Sequence, residues 1–273
     1  MLPELPHELP NARPPEPPPG PPPLPTPTFS IITCTWNSAA TLADTLASLQ
    51  AQRWRDFEHI FVDGGSTDAT LAMLAAYPGN KRVLHGVDGG ISRAMNAGIA
   101  AARGRFIAHL HADDYYSDAE VLASVAERFA ALPACDWVVG MIDVLHDGVL
   151  LPHHPQRPFS YRSLAAGGAS VPHPAVFIRA SAFARVGHFD ESLKLAMDID
   201  LWLRLGRQAQ PSLINRPLAV FREHAGSVSS SNKLRARREE FAVRRRHSGA
   251  APFAVLVYCL RYLRRTRALR RAT

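Results

Sequence analysis

The chain has 273 residues, of which 47% are hydrophobic, and its formal net charge is +7. This length and apolar content suit one large α/β domain with a substantial core. The charge is uneven, because residues 233–273 hold 13 Lys and Arg against 2 Asp and Glu, a net +11 that leaves −4 on the rest of the chain. A mildly acidic body excludes the basic surface of a nucleic-acid-binding domain, and we expect no nucleic-acid partner.

The chain begins with a proline-rich segment. Thirteen of its first 27 residues are proline, which fits neither a helix interior nor a central strand. We therefore predict a disordered or polyproline-like tail over residues 1–27.

The cysteines indicate the compartment. Cys34, Cys135 and Cys259 are odd in number, far apart and not at metal-ligand spacing. This usage argues against a disulfide framework or a zinc cluster and predicts a cytoplasmic protein.

Residues 28–114 alternate predicted strands and helices. The strand FSIITCTWN (29–37) precedes a helix with leucines at helical spacing, and FEHIFVD (57–63) leads into the next helix. A short strand KRVL (81–84), a small-residue helix and the strand in RFIAHLHADD (105–114) follow. Alternation of this kind predicts a mostly parallel, Rossmann-like sheet with helices on both faces.

The pattern is more varied after residue 116. A helix follows Ser117, two strands meet at a tight turn at Asp147-Gly148, and MDIDLWLRLGRQ (197–208) is a helix with a carboxylate pair at its start. We predict a domain over 28–230 and a basic helical tail over 231–273.

Polar residues collect where three predicted strands end. They are Thr33, Thr35 and Asn37 on the first strand, Asp63 on the second, and His111, Asp113 and Asp114 on the fourth. Ligands bind beyond the carboxyl ends of parallel strands, so these side chains should share one crevice. No G-x-G-x-x-G and no P-loop lysine follows the first strand. The crevice is thus predicted to hold a nucleotide through carboxylates.

The adjacent Asp113 and Asp114 suit a hard divalent cation, Mg²⁺ or Mn²⁺, that also holds phosphate oxygens. A single carboxylate such as Asp63 suits hydrogen bonds from a base or ribose. For the Asp pair alone, a solvated position at a helix start is an equal alternative.

The chain resembles the family-2 glycosyltransferases with a GT-A fold in four segments, in the family's order: FSIITCTWN, FVDGGSTDAT, GISRAMNAGIAAARGRFIAHLHADD and VGHFDESLKLAMDIDLWLRL. The likeness covers residues 28–230. It is nearest to bacterial enzymes of exopolysaccharide and lipopolysaccharide synthesis, and it implies a GT-A α/β fold.

The resemblance also implies a role for each matching residue. Those implied to bind the nucleotide-sugar are Thr33, Thr35, Asn37, Asp63, Arg93, Asn96 and Asp113. Those implied to hold Mn²⁺ or Mg²⁺ are Asp113 and Asp114. The implied catalytic residues are Asp198, as general base, and Asp200. Near the acceptor or diphosphate the resemblance places His173, Arg222 and His224, for each of which a structural role is an equal alternative.

The implied reaction moves a sugar from a nucleotide-sugar, a UDP-sugar being favoured, to a hydroxyl of a glycan or lipid-linked acceptor, with inversion. A nucleotidyltransferase on a similar sheet is one alternative, but the loop after the first strand lacks the glycine-rich Arg and Lys sequence it needs. A non-catalytic nucleotide-sugar-binding protein is another, but it should have lost one of the carboxylates.

The sequence APFAVLVYCLRYLRRTRALRR (251–271) combines an apolar run with arginines. The run of about 10 residues is too short to cross a bilayer, which takes about 20. We predict that residues 250–273 bind an anionic membrane surface, as on the inner face of the cell membrane. Packing of this helix on the domain is the alternative.

Overall fold

The computed structural model describes residues 26–152, 158–223 and 233–272. The predicted proline-rich tail therefore lies almost entirely outside the described residues, and His224 lies outside them as well.

The strands are β1 (Phe29–Thr35), β2 (Phe57–Asp63), β3 (Lys81–Leu84), β4 (Phe106–His109), β5 (Tyr115–Tyr116), β6 (Trp137–His146), β7 (Val149–Leu151), β8 (Val176–Arg179) and β9 (Ser212–Glu223). The helices are α1 (Leu42–Gln50), α2 (Thr70–Ala76), α3 (Ile91–Ala101), α4 (Val121–Ala131), α5 (Tyr161–Ala165), α6 (Ala180–Val186), α7 (Met197–Gln208), α8 (Lys233–Arg246) and α9 (Pro252–Ala272). Strands and helices alternate up to β4, as predicted.

Within the described residues, the strands form one nine-stranded sheet in the order β3-β2-β1-β4-β8-β6-β9-β5, with β7 paired to β6. The first four strands of this order are parallel. Beyond β4 the sheet is mixed, because β8 is antiparallel to both of its neighbours while β6 and β9 are parallel. The prediction of a parallel sheet therefore holds for the half formed by β1 to β4. In the other half, short connections such as the β6–β7 turn join antiparallel strands.

The sheet separates two layers of core because its strands alternate their side chains. On β1, Phe29 and Ile31 pack with α4, whereas Ile32 and Cys34 pack with α3 and α7. Gly98 brings α3 close to the sheet, since a Cβ at that position would lie 2.4 Å from Cγ2 of Ile32. This two-sided burial holds the carboxyl ends of β1, β2 and β4 together at one edge.

The basic C-terminal helices pack on the domain. Val243 of α8 and Val255 and Tyr258 of α9 are buried. Arg246 of α8 forms an ion pair with Asp190, with 2.7 Å between Nη1 and Oδ2. Among the described residues, none of the helices combines the length and apolar character that crossing a membrane requires.

Candidate active site

The loop after β2 is folded around the carboxylate of Asp63. Oδ1 accepts hydrogen bonds from the backbone N–H groups of Gly65 and Ser66, both at 2.9 Å. Oδ2 accepts from the hydroxyls of Ser66 and Thr35, at 2.5 and 2.9 Å. Burial alone would raise the pKa of Asp63, but these hydrogen bonds prevail and lower it. The carboxylate thus shapes the loop from within the chain, and its contact with a nucleotide stays a prediction.

The two threonines of β1 face inward. The Thr33 side chain is 0% exposed, and its hydroxyl donates to the carbonyl of Leu110 at 2.7 Å while lying 2.8 Å from Nε2 of His59. A ligand cannot reach this hydroxyl in the observed conformation. Thr35 is also buried and bonded to Asp63. The structure therefore gives both threonines a supporting position under the crevice.

Trp36 and Asn37 stand at the mouth of the crevice. Trp36 is 71% exposed, and its side chain lies against Gly64, where an added Cβ would be 3.7 Å from both Cβ and Cδ1 of the tryptophan. Asn37 has a φ of +48°, and its Oδ1 accepts a hydrogen bond of 2.8 Å from the backbone N–H of Thr67. The β1 and β2 loops are thereby tied together, with an open aromatic face beside them.

Two predicted residues lie on α3. Arg93 is exposed, with its Nη1 3.8 Å from Oδ1 of Asp88. Asn96 instead holds a neighbouring loop, because its amide exchanges hydrogen bonds of 2.9 and 3.0 Å with the backbone of Phe189 and donates to Oε1 of Glu191 at 2.9 Å. Arg93 is accessible to a diphosphate, whereas the described bonds of Asn96 are structural.

The two adjacent aspartates lie at the end of β4, beside β9. Asp114 is buried, and its Oδ1 accepts a hydrogen bond of 3.1 Å from the backbone N–H of Arg222. The guanidinium of Arg222 donates to the carbonyl of Asp113 at 3.2 Å, forms an ion pair with Asp44 and lies over the ring of Tyr115. Arg222 thus stands beside the acidic pair, where the sequence predicted an acceptor or diphosphate contact.

The acidic pair suits a hard divalent cation. Burial and the charge of Asp113 raise the pKa of Asp114, so a nearby cation would relieve an unfavourable arrangement. In the described part of the chain, no group of three or more His, Cys, Asp or Glu is arranged to hold a metal. Two carboxylates therefore fit Mg²⁺ or Mn²⁺ that takes its other ligands from a bound diphosphate and water.

A cluster of rings connects the acidic pair to α7. The ring of His173 lies 5.1 Å from that of His111, 5.6 Å from that of His109 and 5.5 Å from that of Trp202, between centroids. Burial lowers the pKa of His173 well below its usual range, so the imidazole is neutral. The residue predicted near the acceptor or diphosphate therefore lies between the end of β4 and the start of α7.

Asp198 lines a cavity of about 390 Å³ at the start of α7. The cavity walls come from the loop over 164–171, from Ile199 and Trp202 of α7, and from Glu240 and Arg244 of α8. Burial raises the pKa of Asp198 to about 6, although the backbone N–H of Ile199 donates to its Oδ1 at 2.7 Å. A carboxylate with this pKa at a cavity wall is suited to accept a proton near neutral pH.

Asp200 points elsewhere. Its Oδ2 accepts hydrogen bonds of 2.8 Å from Nε and Nη2 of Arg204, and its Oδ1 lies 3.0 Å from Nε2 of His247. Burial would raise the pKa of Asp200, but the bonds to His247 and Arg204 lower it. Asp200 thus joins α7 to the end of α8, whereas the charged groups that act on Asp198 are Glu240, which raises its pKa, and Arg244, which lowers it.

Sequence reasoning missed Trp36, Trp202, Glu240 and Arg244. The position of Trp36 in the sequence could have indicated a role, because a large aromatic residue directly after the end of a buried strand lies outside the core. Trp202 looks like any core position of an amphipathic helix. Glu240 and Arg244 sit in a charge-rich helix whose sequence does not indicate which face is covered.

Glu239 of α8 fixes the start of α7. Its Oε2 accepts hydrogen bonds of 2.9, 2.5 and 2.9 Å from the backbone N–H groups of Lys194, Leu195 and Ala196. A carboxylate in this position stabilises a helix start. We expect Glu239→Ala to lower the free energy of unfolding by about 1–2 kcal/mol, with Glu239→Gln retaining more of the stability.

Urea unfolding monitored by circular dichroism checks this effect. Glu120→Ala, which removes an exposed ion pair with Arg53, is the control and should change stability by about 0.5 kcal/mol or less. Equal stability of Glu239→Ala and the unaltered protein would contradict a role of Glu239 in holding α7.

Comparisons with known proteins identify the family. The model of the family described as "Glycosyl transferase family 2" matches residues 30–186. An uncharacterized glycosyltransferase of Mycobacterium tuberculosis is 36% identical over 200 residues, 71% of this chain and 75% of the relative. A PGL/p-HBAD biosynthesis glycosyltransferase of Mycobacterium bovis is 32% identical over 208 residues, with the same coverage of 71% and 75%.

Solved structures share the fold. TarS of S. aureus in complex with UDP-GlcNAc aligns with a TM-score of 0.68 at 22% identity, over 81% of this chain and 65% of that one. This chain thus spans just under two thirds of the TarS chain. The mannosyltransferase PcManGT of Pyrobaculum calidifontis, in complex with GDP-Man and Mn²⁺, aligns with a TM-score of 0.59 at 17% identity, over 90% of this chain and 76% of that one.

Proposed function

The chain belongs to glycosyl transferase family 2 and has the predicted GT-A α/β fold, and from this premise we propose that it is an inverting, metal-assisted enzyme that uses a UDP-sugar. The acceptor in this proposal is a hydroxyl group of a glycan or of a lipid-linked molecule. The observation that carries the proposal is the acidic pair Asp113–Asp114 at the end of β4, with only the packed rings of His111, His173 and Trp202 between this strand end and the cavity of Asp198.

The donor binds at the carboxyl edge of β1, β2 and β4. Trp36 offers an exposed ring on which a nucleotide base can stack. Asp113 and Asp114 are the residues that would hold Mn²⁺ or Mg²⁺, and the ion, when bound, neutralises charge on the departing nucleoside diphosphate. The complexes of TarS with UDP-GlcNAc and with UDP support a UDP-sugar as the donor.

The acceptor enters the cavity of Asp198. Trp202, whose side chain is almost fully buried, contributes an apolar part of the cavity wall against which a sugar can pack. Asp198 takes the proton of the attacking hydroxyl, and the bond from the anomeric carbon to the diphosphate oxygen breaks as the new C–O bond forms. Attack from the face opposite the leaving group inverts the configuration at that carbon.

Family membership favours this reaction over a nucleotidyltransferase. A non-catalytic binding protein is disfavoured because Asp63, Asp113, Asp114 and Asp198 are all present and placed as described.

A panel of UDP- and GDP-sugars, incubated with the protein with and without Mn²⁺, tests the proposal. We expect a UDP-sugar to be turned over, with stimulation by the metal. With a matched acceptor, the product's anomeric configuration, read by NMR, should be opposite to that of the donor. A product that retains the donor's configuration would contradict the single displacement, and turnover of GDP-sugars alone would contradict the choice of base.

A further inference from the structure

The first half of α9 presents an apolar stripe to solvent. Phe253, Leu256 and Leu260 are 82%, 56% and 63% exposed, and Val257 and Leu263 are exposed as well. Their spacing of three and four residues places them on one side of the helix. A continuous stripe of large apolar side chains on a surface helix indicates a contact surface.

The opposite side of α9 lies against the wall of the Asp198 cavity. Tyr258 packs on Gly167, where an added Cβ would be 2.6 Å from its ring, and the guanidinium of Arg244 lies 4.7 Å from the centre of that ring. Nη1 of Arg261 donates to the carbonyl of Ala166 at 2.9 Å. Gly167 and Arg244 both line the cavity, so α9 is the single layer between this cavity wall and the apolar stripe.

The charge of α9 indicates what the stripe faces. The helix contains six arginines and no Asp or Glu; five of the arginines follow the apolar stripe along the chain, and Arg261 precedes its last residue. A second copy of the chain would bring two segments of net charge +11 together, which like-charge repulsion disfavours. An anionic bilayer instead offers an apolar interior for the stripe and negative headgroups for the arginines.

We propose that α9 docks on an anionic lipid bilayer through Phe253, Leu256, Val257, Leu260 and Leu263. A helix with its side chains is about 10 Å across, so docking holds the wall of the Asp198 cavity about that distance above the bilayer surface. An acceptor that is anchored in the membrane and carries its hydroxyl on a headgroup of this reach is the substrate class that such a placement favours. The acceptor part of this inference rests on the proposed function, whereas the docking does not.

Sedimentation of the full chain with vesicles tests the docking. Phosphatidylcholine vesicles containing phosphatidylglycerol should bind the protein, pure phosphatidylcholine vesicles should bind it less, and added salt should weaken the binding. The double variant Leu256→Asp/Leu260→Asp should lower the vesicle partition coefficient by about tenfold or more, because two apolar side chains no longer enter the bilayer.

The matched control is Val149→Asp/Leu150→Asp. These residues of the β6–β7 hairpin are 60% and 53% exposed, close to the values for Leu256 and Leu260, so the change in exposed apolar surface and charge is the same. The control should bind vesicles like the unaltered protein. Equal losses in both double variants would overturn the proposal, and so would a dimer that the α9 variant dissociates while vesicle binding persists.

Turnover of a UDP-sugar without vesicles separates this inference from the proposed function. If the unaltered protein does not bind vesicles but turns over a UDP-sugar, the docking is wrong and the enzyme assignment stands. If vesicle binding follows the expected pattern but no nucleotide-sugar is turned over, the docking stands and the assigned reaction fails.

Discussion

Replacing Asp198 by Asn should lower sugar transfer by about 10²–10⁴-fold, the usual contribution of a general base, while donor affinity hardly changes. The amide is nearly the same shape as the carboxylate but cannot accept the proton of the acceptor hydroxyl. Donor affinity is spared because the contacts proposed for the nucleotide lie at the strand ends, whereas Asp198 lies in the cavity at the start of α7. Single-turnover transfer, with a separate titration of UDP, measures both quantities.

The same residue should set the pH dependence of transfer. Its carboxylate, with a pKa of about 6, is mostly protonated at pH 5 and about nine-tenths ionised at pH 7. Because the ionised form is the active base, transfer should rise with pH through this range and level off above it. Residual transfer by Asp198→Asn should lack this rise.

Asp200→Asn is the matched control, two residues away on the same helix. It loses part of the bonding to Arg204 and His247 and should lower the free energy of unfolding by about 1–3 kcal/mol, with a smaller effect on transfer by the folded protein. Asp198→Asn should leave stability at pH 7 unchanged or raise it, because it removes a carboxylate that burial disfavours in its charged form. A full transfer rate in Asp198→Asn would show that another group accepts the proton.

Asp114→Asn should weaken the metal-dependent part of UDP binding by about 10–100-fold or more. The fold should remain intact, since the amide oxygen can still accept the hydrogen bond from the backbone of Arg222. What is lost is a charged oxygen ligand for Mn²⁺ beside Asp113. Calorimetry of UDP with Mn²⁺ and without it measures the difference.

Trp36→Ala provides the contrast for this experiment. It removes the exposed ring proposed to stack on the base, so it should weaken UDP binding to a similar extent with and without metal. If Asp114→Asn leaves the effect of Mn²⁺ on UDP affinity unchanged, the acidic pair does not hold the metal.

The sequence was sufficient to predict the parts of the fold where local pattern and burial agree. The runs ending at Thr35, Asp63 and His109 are rich in apolar residues, and each becomes a strand of the sheet. The turn at Asp147-Gly148 was also predictable, since both residues adopt a positive φ that their types tolerate. The antiparallel insertion of β8 between β4 and β6 was not, because strand pairing is decided by contacts distant in sequence.

Some features of the candidate site could likewise be predicted from the sequence, and others could not. A carboxylate pair at the end of a predicted strand can be found from the sequence, as with Asp113 and Asp114, whereas the role of Asp198 at the start of α7 was implied by the family resemblance. Which oxygen atoms remain accessible does not follow from the sequence: Thr33 is sealed under the crevice, and Asp200 is bonded within the chain. The basic segment was predicted as a helical tail, and its sequence does not indicate that Glu240 and Arg244 of α8 line the cavity beside α7.

The position of the cavity-lining residues along the chain suggests how the acceptor preference of this protein can be redesigned. The family model ends at residue 186, whereas Asp198, Trp202, Glu240 and Arg244 all follow it. The strand ends proposed to bind the donor thus lie within the matched stretch, whereas the cavity proposed for the acceptor takes its loop over 164–171 from that stretch and its other walls from residues that follow it. The proposed function predicts that exchange of the downstream stretch between relatives changes acceptor preference more than donor preference. Chimaeras joined in the loop after α6 are the corresponding engineering strategy.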